Sequence, residues 1–87
     1  MPTVFIPPLL RGLTDDRQSV QVEGTTLREV VDALESRYPG VREKLCHDDE
    51  VRPELSVSIG DNIISHGLAE PVPPNSEIHF LPALGGG

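Results

Sequence analysis

The sequence predicts an α+β domain in which one main helix packs across one face of a mixed sheet. Three observations lead there. A single apolar stripe, Leu27, Val30, Val31, Leu34 and Tyr38, recurs at helical spacing. Segments of period-two alternation lie on both sides of it, at residues 19–23 and 55–59. Finally, 87 residues give room for one compact unit, and 8 Gly and 9 Pro punctuate it. Together those two residue types stay below the ~25–30% that marks a low-complexity chain.

The elements follow in order. Residues 3–6 are β-branched or aromatic and stop at Pro7-Pro8, which predicts a first strand. Residues 9–17, with Gly12, Asp15 and Asp16, are expected to be loop. Val20 and Val22 then alternate with Ser19, Gln21 and Glu23, a second strand that pairs with the first as an antiparallel hairpin. Thr26 followed by Glu29 is a capping box, so the helix starts there, with Arg28, Glu29, Asp32 and Glu35 toward water. Pro39-Gly40 ends it, and Val41 and Leu45 suggest one more short helical turn. Residues 46–52 are expected to be a polar loop. Leu55, Val57 and Ile59 form a strand that turns at Gly60-Asp61-Asn62 into Ile63 and Ile64. Residues 65–76 are loop-like. A last strand, 77–81, sets Ile78 and Phe80 on one face and His79 on the other, where it should be exposed; Pro82 closes it.

Charge narrows the function. The formal net charge is −7, and beyond Arg52 there is no Lys or Arg while Glu54, Asp61, Glu70 and Glu77 remain. Such a surface argues against nucleic acid, whose phosphates call for clustered cations, and for a basic face on any protein partner of the C-terminal half. The one cysteine, Cys46, cannot form an internal disulfide, which argues against a secreted scaffold and makes the reducing cytoplasm the expected compartment. No basic n-region opens the chain, and no apolar run approaches the ~18 residues of a membrane span, so no membrane partner is expected.

The C-terminus carries the most information. After a strand ending in Leu81-Pro82-Ala83-Leu84 come Gly85, Gly86 and Gly87. A run without Cβ atoms can thread a narrow channel, and its terminal carboxylate, ionised at neutral pH, can be presented as a reagent to another protein's active site. The competing reading is a frayed terminus without function. Among other groups, His47, Asp48, Asp49 and Glu50 are consecutive and cannot all converge on one ion, so no metal is expected and a solvated acidic loop is preferred. Cys46 reads as a small apolar residue after Leu45 rather than a nucleophile. His66 stands alone. Leu9, Leu10, Leu81 and Leu84 read either as core or as an apolar docking patch beside the tail.

Pro-Pro-Leu-Leu-Arg after the first strand, Gly-Thr-Thr-Leu-Arg-Glu-Val-Val-Asp-Ala-Leu, Arg-Tyr-Pro-Gly-Val-Arg-Glu-Lys-Leu, Gly67-Leu68 and Ile-His-Phe-Leu-Pro-Ala-Leu-Gly-Gly-Gly together resemble the MoaD/ThiS family. These are ubiquitin-like β-grasp sulfur carriers. The resemblance implies a β-grasp domain over residues 1–82 with a flexible glycine tail, 83–87. It also implies a mechanism in which the Gly87 carboxylate is adenylated by a MoeB/ThiF-like activating enzyme and sulfur then displaces AMP, leaving a thiocarboxylate. Gly85, Gly86, Leu84 and Leu81 would touch the partner. The chain would be a co-substrate or small subunit, not an enzyme, with no cofactor of its own; ATP and a sulfur donor are used by the activating partner. A downstream synthase would accept the sulfur, for molybdopterin, thiamin, cysteine or a specialised thio-metabolite. Family tails commonly end in two glycines, and this one has three. The resemblance leaves a second function open, a ubiquitin-like modifier joined to lysines through Gly87, for which Lys44 is the chain's one lysine. A passive binding domain is the third reading, and it predicts that the tail is dispensable.

Overall fold

A computed structural model describes residues 1–64 and 67–82. The expected tail, 83–87, and His66 lie outside the described residues. Strands β1 (Thr3–Phe5) and β2 (Ser19–Gln21) pair antiparallel as predicted, with Val4 opposite Val20. Helix α1 (Leu27–Arg37) and the short α2 (Val41–Leu45) follow. A two-stranded hairpin, β3 (Cys46–His47) with β4 (Glu50–Val51), leads to β5 (Leu55–Ile59), β6 (Asn62–Ile64) and β7 (Glu77–Pro82). The main sheet runs β2-β1-β7-β5-β6, and β1 and β7 pair parallel at its centre with Val4 beside Ile78. All other pairs are antiparallel, so the sheet is mixed.

The residues on one face of that sheet are the core. Val4, Val20, Val57, Ile59, Ile78 and Phe80 meet the helical stripe of Leu27, Val30, Val31 and Leu34, and all are buried. Tyr38, at the C-cap of α1, and Val41 and Leu45 of the second helix continue the same core. Among the described residues, no helix is long and apolar enough to cross a membrane.

Helix α1 starts where the sequence puts it, with one change in the cap. The Thr26 hydroxyl accepts from the Glu29 amide at 3.3 Å, but the Glu29 carboxylate reaches Thr25, whose amide and hydroxyl donate to it at 2.8 and 3.0 Å. Two first-turn amides, which no helix can satisfy internally, donate to the loop instead: Leu27 to the Glu70 carbonyl and Arg28 to that of Leu68, each at 2.9 Å. Gly24 sits at the entry to the helix. A Cβ there would lie 2.9 Å from the Val30 amide nitrogen, a collision with backbone that no rotamer relieves.

Two expected loops are ordered. Where residues 9–17 were expected to be loop, Pro8–Leu13 wind into a 3-10 helix with Pro7 at its N-cap, which buries Leu10 and leaves Leu9 outside. The polar loop of 46–52 is the β3–β4 hairpin, in which Asp48 and Asp49 both take positive φ, 53° and 62°, as a type I′ turn requires.

Glu35, predicted to face water, is half-buried and caps the second helix. Its carboxylate accepts from the amides of Arg42 at 2.9 Å and Gly40 at 3.1 Å. Those two amides, Arg42's first, lower its pKa from the ordinary value of 4.5. A carboxyl depressed in the folded state contributes stability above its unfolded pKa and loses it as pH falls through the folded value. Glu35→Gln should therefore lose less of its urea midpoint than wild type between about pH 7 and pH 3. Equal losses in the two proteins would contradict this role for the cap.

Candidate functional site

Side chains on the sheet face opposite α1 follow from the register. Ser19, Phe5, His79, Ser58 and Ile63 stand in one row across all five strands. Leu81 pairs with Ser56 in the next row along β7. Two apolar side chains of this face are open to solvent: Ile63 is 73% and Leu81 45% exposed.

The centre of this row differs from the expected isolated, exposed histidine. The His79 ring stacks on Phe5 with centroids 4.3 Å apart and planes within 4°. The histidine side chain is only 36% exposed, and its Nε2 lies 3.8 Å from a Glu77 carboxylate oxygen. Adjacent β1 and β7 place the two rings opposite each other, a pairing the separated sequence positions do not advertise.

Beside the stack, a groove of about 560 Å³ runs between the Pro7–Leu9 turn and the end of β7. Its walls are largely apolar: Phe5, Pro8, Leu9, Leu55, Leu81 and Pro82, with Glu54 on the rim. Leu9 is 64% exposed. Of the four leucines proposed as core or patch, Leu10 belongs to the core, whereas Leu9 and Leu81 form the groove. Leu84, Gly85, Gly86 and Gly87 lie outside the described residues. The groove ends at Pro82, the residue from which the tail sets out.

The sequence singles out Leu81 but does not connect it to Phe5, Pro8, His79 and Glu54, with which it lines the groove. The one available signal was that β7 carries large side chains at both parities, Ile78 and Phe80 inward, His79 and Leu81 outward. A strand with one wet face should alternate with polar residues.

Elsewhere, Cys46 is buried as expected, and burial raises its thiol pKa, so it is not a poised nucleophile. It lines a second hollow of about 600 Å³ with Glu35, Arg42 and the His47–Asp49 turn. The charges there are engaged among themselves: Arg42 pairs with Asp32 and, at 3.4 Å, with Asp49, which Arg28 also meets at 3.3 Å. Among the described residues, no three His, Cys, Asp or Glu side chains gather as a metal site would need.

Known proteins share this body along its whole length. The sulfur carrier protein CysO of Mycobacterium tuberculosis is 32% identical over 90 residues, covering 98% of this chain and 97% of its own. A chain in the crystal structure of the Amycolatopsis orientalis BexX/CysO complex superposes with a TM-score of 0.89 at 32% identity, over the full length of both. Small archaeal modifier protein 1 of Haloferax volcanii, at 21% identity over 95% of this chain and 97% of its own, has a TM-score of 0.70 and shares the β-grasp fold. The ThiS family model matches residues 5–87, from the first strand through the last glycine. On that match and on the CysO likeness, this chain belongs to the ThiS family.

Proposed function

We propose that this protein is a sulfur carrier whose reactive group is the Gly87 carboxylate. The observation that carries the reading is the extent of the family match, which runs unbroken to Gly87 and so includes the glycine tail as well as the body. A carboxylate is a poor electrophile. ATP-dependent adenylation by a MoeB/ThiF-like enzyme supplies AMP as a leaving group, and a sulfur donor displaces it to give a thiocarboxylate. The thiocarboxylate is a soft nucleophile that passes sulfur to the acceptor bound by a downstream synthase. In this scheme the carrier contributes a body to be gripped and a tip to be modified, and the catalytic side chains belong to its partners. The CysO relatives favour an acceptor in cysteine biosynthesis over the other candidates.

Intact-mass measurement of the chain purified from its native cells tests this. The expected species is heavier by roughly 16 Da, sulfur for oxygen, and localises to Gly87. Finding only unmodified chain, or adducts joined to lysines of other proteins, would reject the carrier in favour of a passive domain or a modifier.

A further inference from the structure

The chain holds two amines, the Met1 terminus and Lys44, and the fold sets them at unequal distances from the tail. Because β1 runs parallel to β7, Thr3 lies beside Glu77, at the end of β7 away from Pro82. Five residues of strand, about 17 Å, separate that level from Pro82. Met1 stands beyond it, its ammonium donating to the Asn75 side chain at 3.1 Å. Five residues follow Pro82, and at full extension they span at most about 18 Å. The tail would use its whole length to draw level with Thr3, which leaves the Met1 amine out of reach.

Lys44 lies at the other end. Strand β5 places Leu55 beside Pro82, a Cα separation of about 5 Å. Leu9, Glu54 and Leu55, which line the groove that ends at Pro82, also wall a hollow of about 370 Å³ whose other sides are Glu43, Lys44 and Arg52. One hollow thus separates Lys44 from the point where the tail sets out. Arg52 is held in place, donating to the Glu43 carbonyl at 3.0 and 2.8 Å. Lys44 is exposed, and among the described residues it forms no ion pair. Groups joined by so short a tether meet at an effective concentration on the order of millimolar, and terminal glycines bring no Cβ to obstruct the approach.

We infer that Lys44 is an internal acceptor for the activated tail: an acyl-adenylate at Gly87 that leaves the activating enzyme before sulfur reaches it closes on the Lys44 amine of the same chain. The inference rests on the carrier reading above, because the carboxylate reacts with an amine only once a leaving group is attached. The Lys44 nitrogen bonds to the Gly87 carbonyl carbon, the bond from that carbon to the AMP oxygen breaks, and AMP departs with the electron pair. Two protons of the ammonium pass to water, and nothing is oxidised or reduced. The product is a ring closed by an isopeptide bond, with no terminal carboxylate left to carry sulfur. A tail enclosed in the enzyme's channel cannot fold back, so ring closure spares the bound adenylate and takes the released one.

The test incubates the full chain, at about 10 µM, with the host's carrier-adenylating enzyme and ATP·Mg²⁺ but no sulfur donor, and reads intact mass together with ATP–pyrophosphate exchange. The expected product is a monomer lighter by about 18 Da, one water, in which tandem mass spectra join Lys44 to Gly87. It should exceed cross-linked dimer by about a hundredfold, the ratio of a millimolar tether to the chain concentration. Lys44→Arg keeps the positive charge without the amine; it should exchange pyrophosphate at the wild-type rate and lose the lighter monomer. Wild-type exchange without that monomer, dimer in its place, its persistence in Lys44→Arg, or a bond mapped to Met1 each overturns the inference and leaves the carrier reading standing. A wild-type chain that supports no pyrophosphate exchange removes the carrier reading itself, and the inference with it.

Discussion

Removing Gly86 and Gly87 is expected to abolish thiocarboxylate formation while leaving the body folded. The deletion does not remove the carboxylate; it moves it to Gly85, about 7 Å short of its former position. Displacements of about 1 Å in a reacting group already cost on the order of a hundredfold in rate, so the truncated chain should fall below detection in a single-turnover adenylation assay. The fold should not notice. Every buried hydrophobic residue of the described chain lies at or before Phe80, and the melting temperature should match wild type. Deleting Gly87 alone keeps two terminal glycines and shifts the carboxylate about 3.4 Å, so its residual rate reports which register the partner reads. A doubly truncated chain that is still adenylated at the wild-type rate would exclude a requirement for the carboxylate to stand at Gly87.

The largest stability effect is expected at Leu34. It lies in the last full turn of the α1 stripe, is entirely buried, and has Leu27, Val30 and Val31 as companions in the core. Leu34→Ala should cost about 2–5 kcal/mol, from lost burial plus the cavity left where the sheet and helix cannot close up. A domain of this size has about 4–13 kcal/mol in all at the usual contribution per residue. The substitution therefore takes a large part of the margin. Urea unfolding should show a lower midpoint with an unchanged slope. A loss below about 1 kcal/mol would mean that the helix is not packed through this residue.

The architecture was legible because its signals are local and periodic. The stripe from Leu27 to Tyr38, the Thr26 cap and the alternation at Leu55, Val57 and Ile59 each point inward without reference to anything distant. The 3-10 helix and the β3–β4 hairpin were read as loops for the opposite reason. Asp48-Asp49 is a weaker I′ signal than Asn-Gly or Asp-Gly, and its strands are two residues each, too short to show a period. Glu35 looked like a solvated helix position because its partners, the amides of Gly40 and Arg42, face it only once the chain turns at Pro39-Gly40.

The site was half legible. The tail and Leu81 come from one stretch of sequence and were visible in it. The groove comes from three stretches: the Pro7–Leu9 turn, the approach to β5 and the end of β7. Nothing in the sequence near Phe5 announces His79. Their contact is created by the parallel pairing of β1 with β7, and parallel neighbours are a property of topology, since no short turn can join them.

That same pairing sets when the molecule can exist. The middle of the sheet is made by the first and the last strand, Thr3 opposite Glu77, with every other element between them in sequence. Contacts of such long separation close late and slowly, and here they close only after β7 has left the ribosome. A nascent chain can wind α1 and form the β1–β2 hairpin early, but β1–β2 and β5–β6 stay unjoined until β7 pairs with β1 and β5. Translation and folding are thereby ordered: an arrested or truncated product lacking β7 has neither the joined sheet nor the groove, and is left to proteolysis as an open chain.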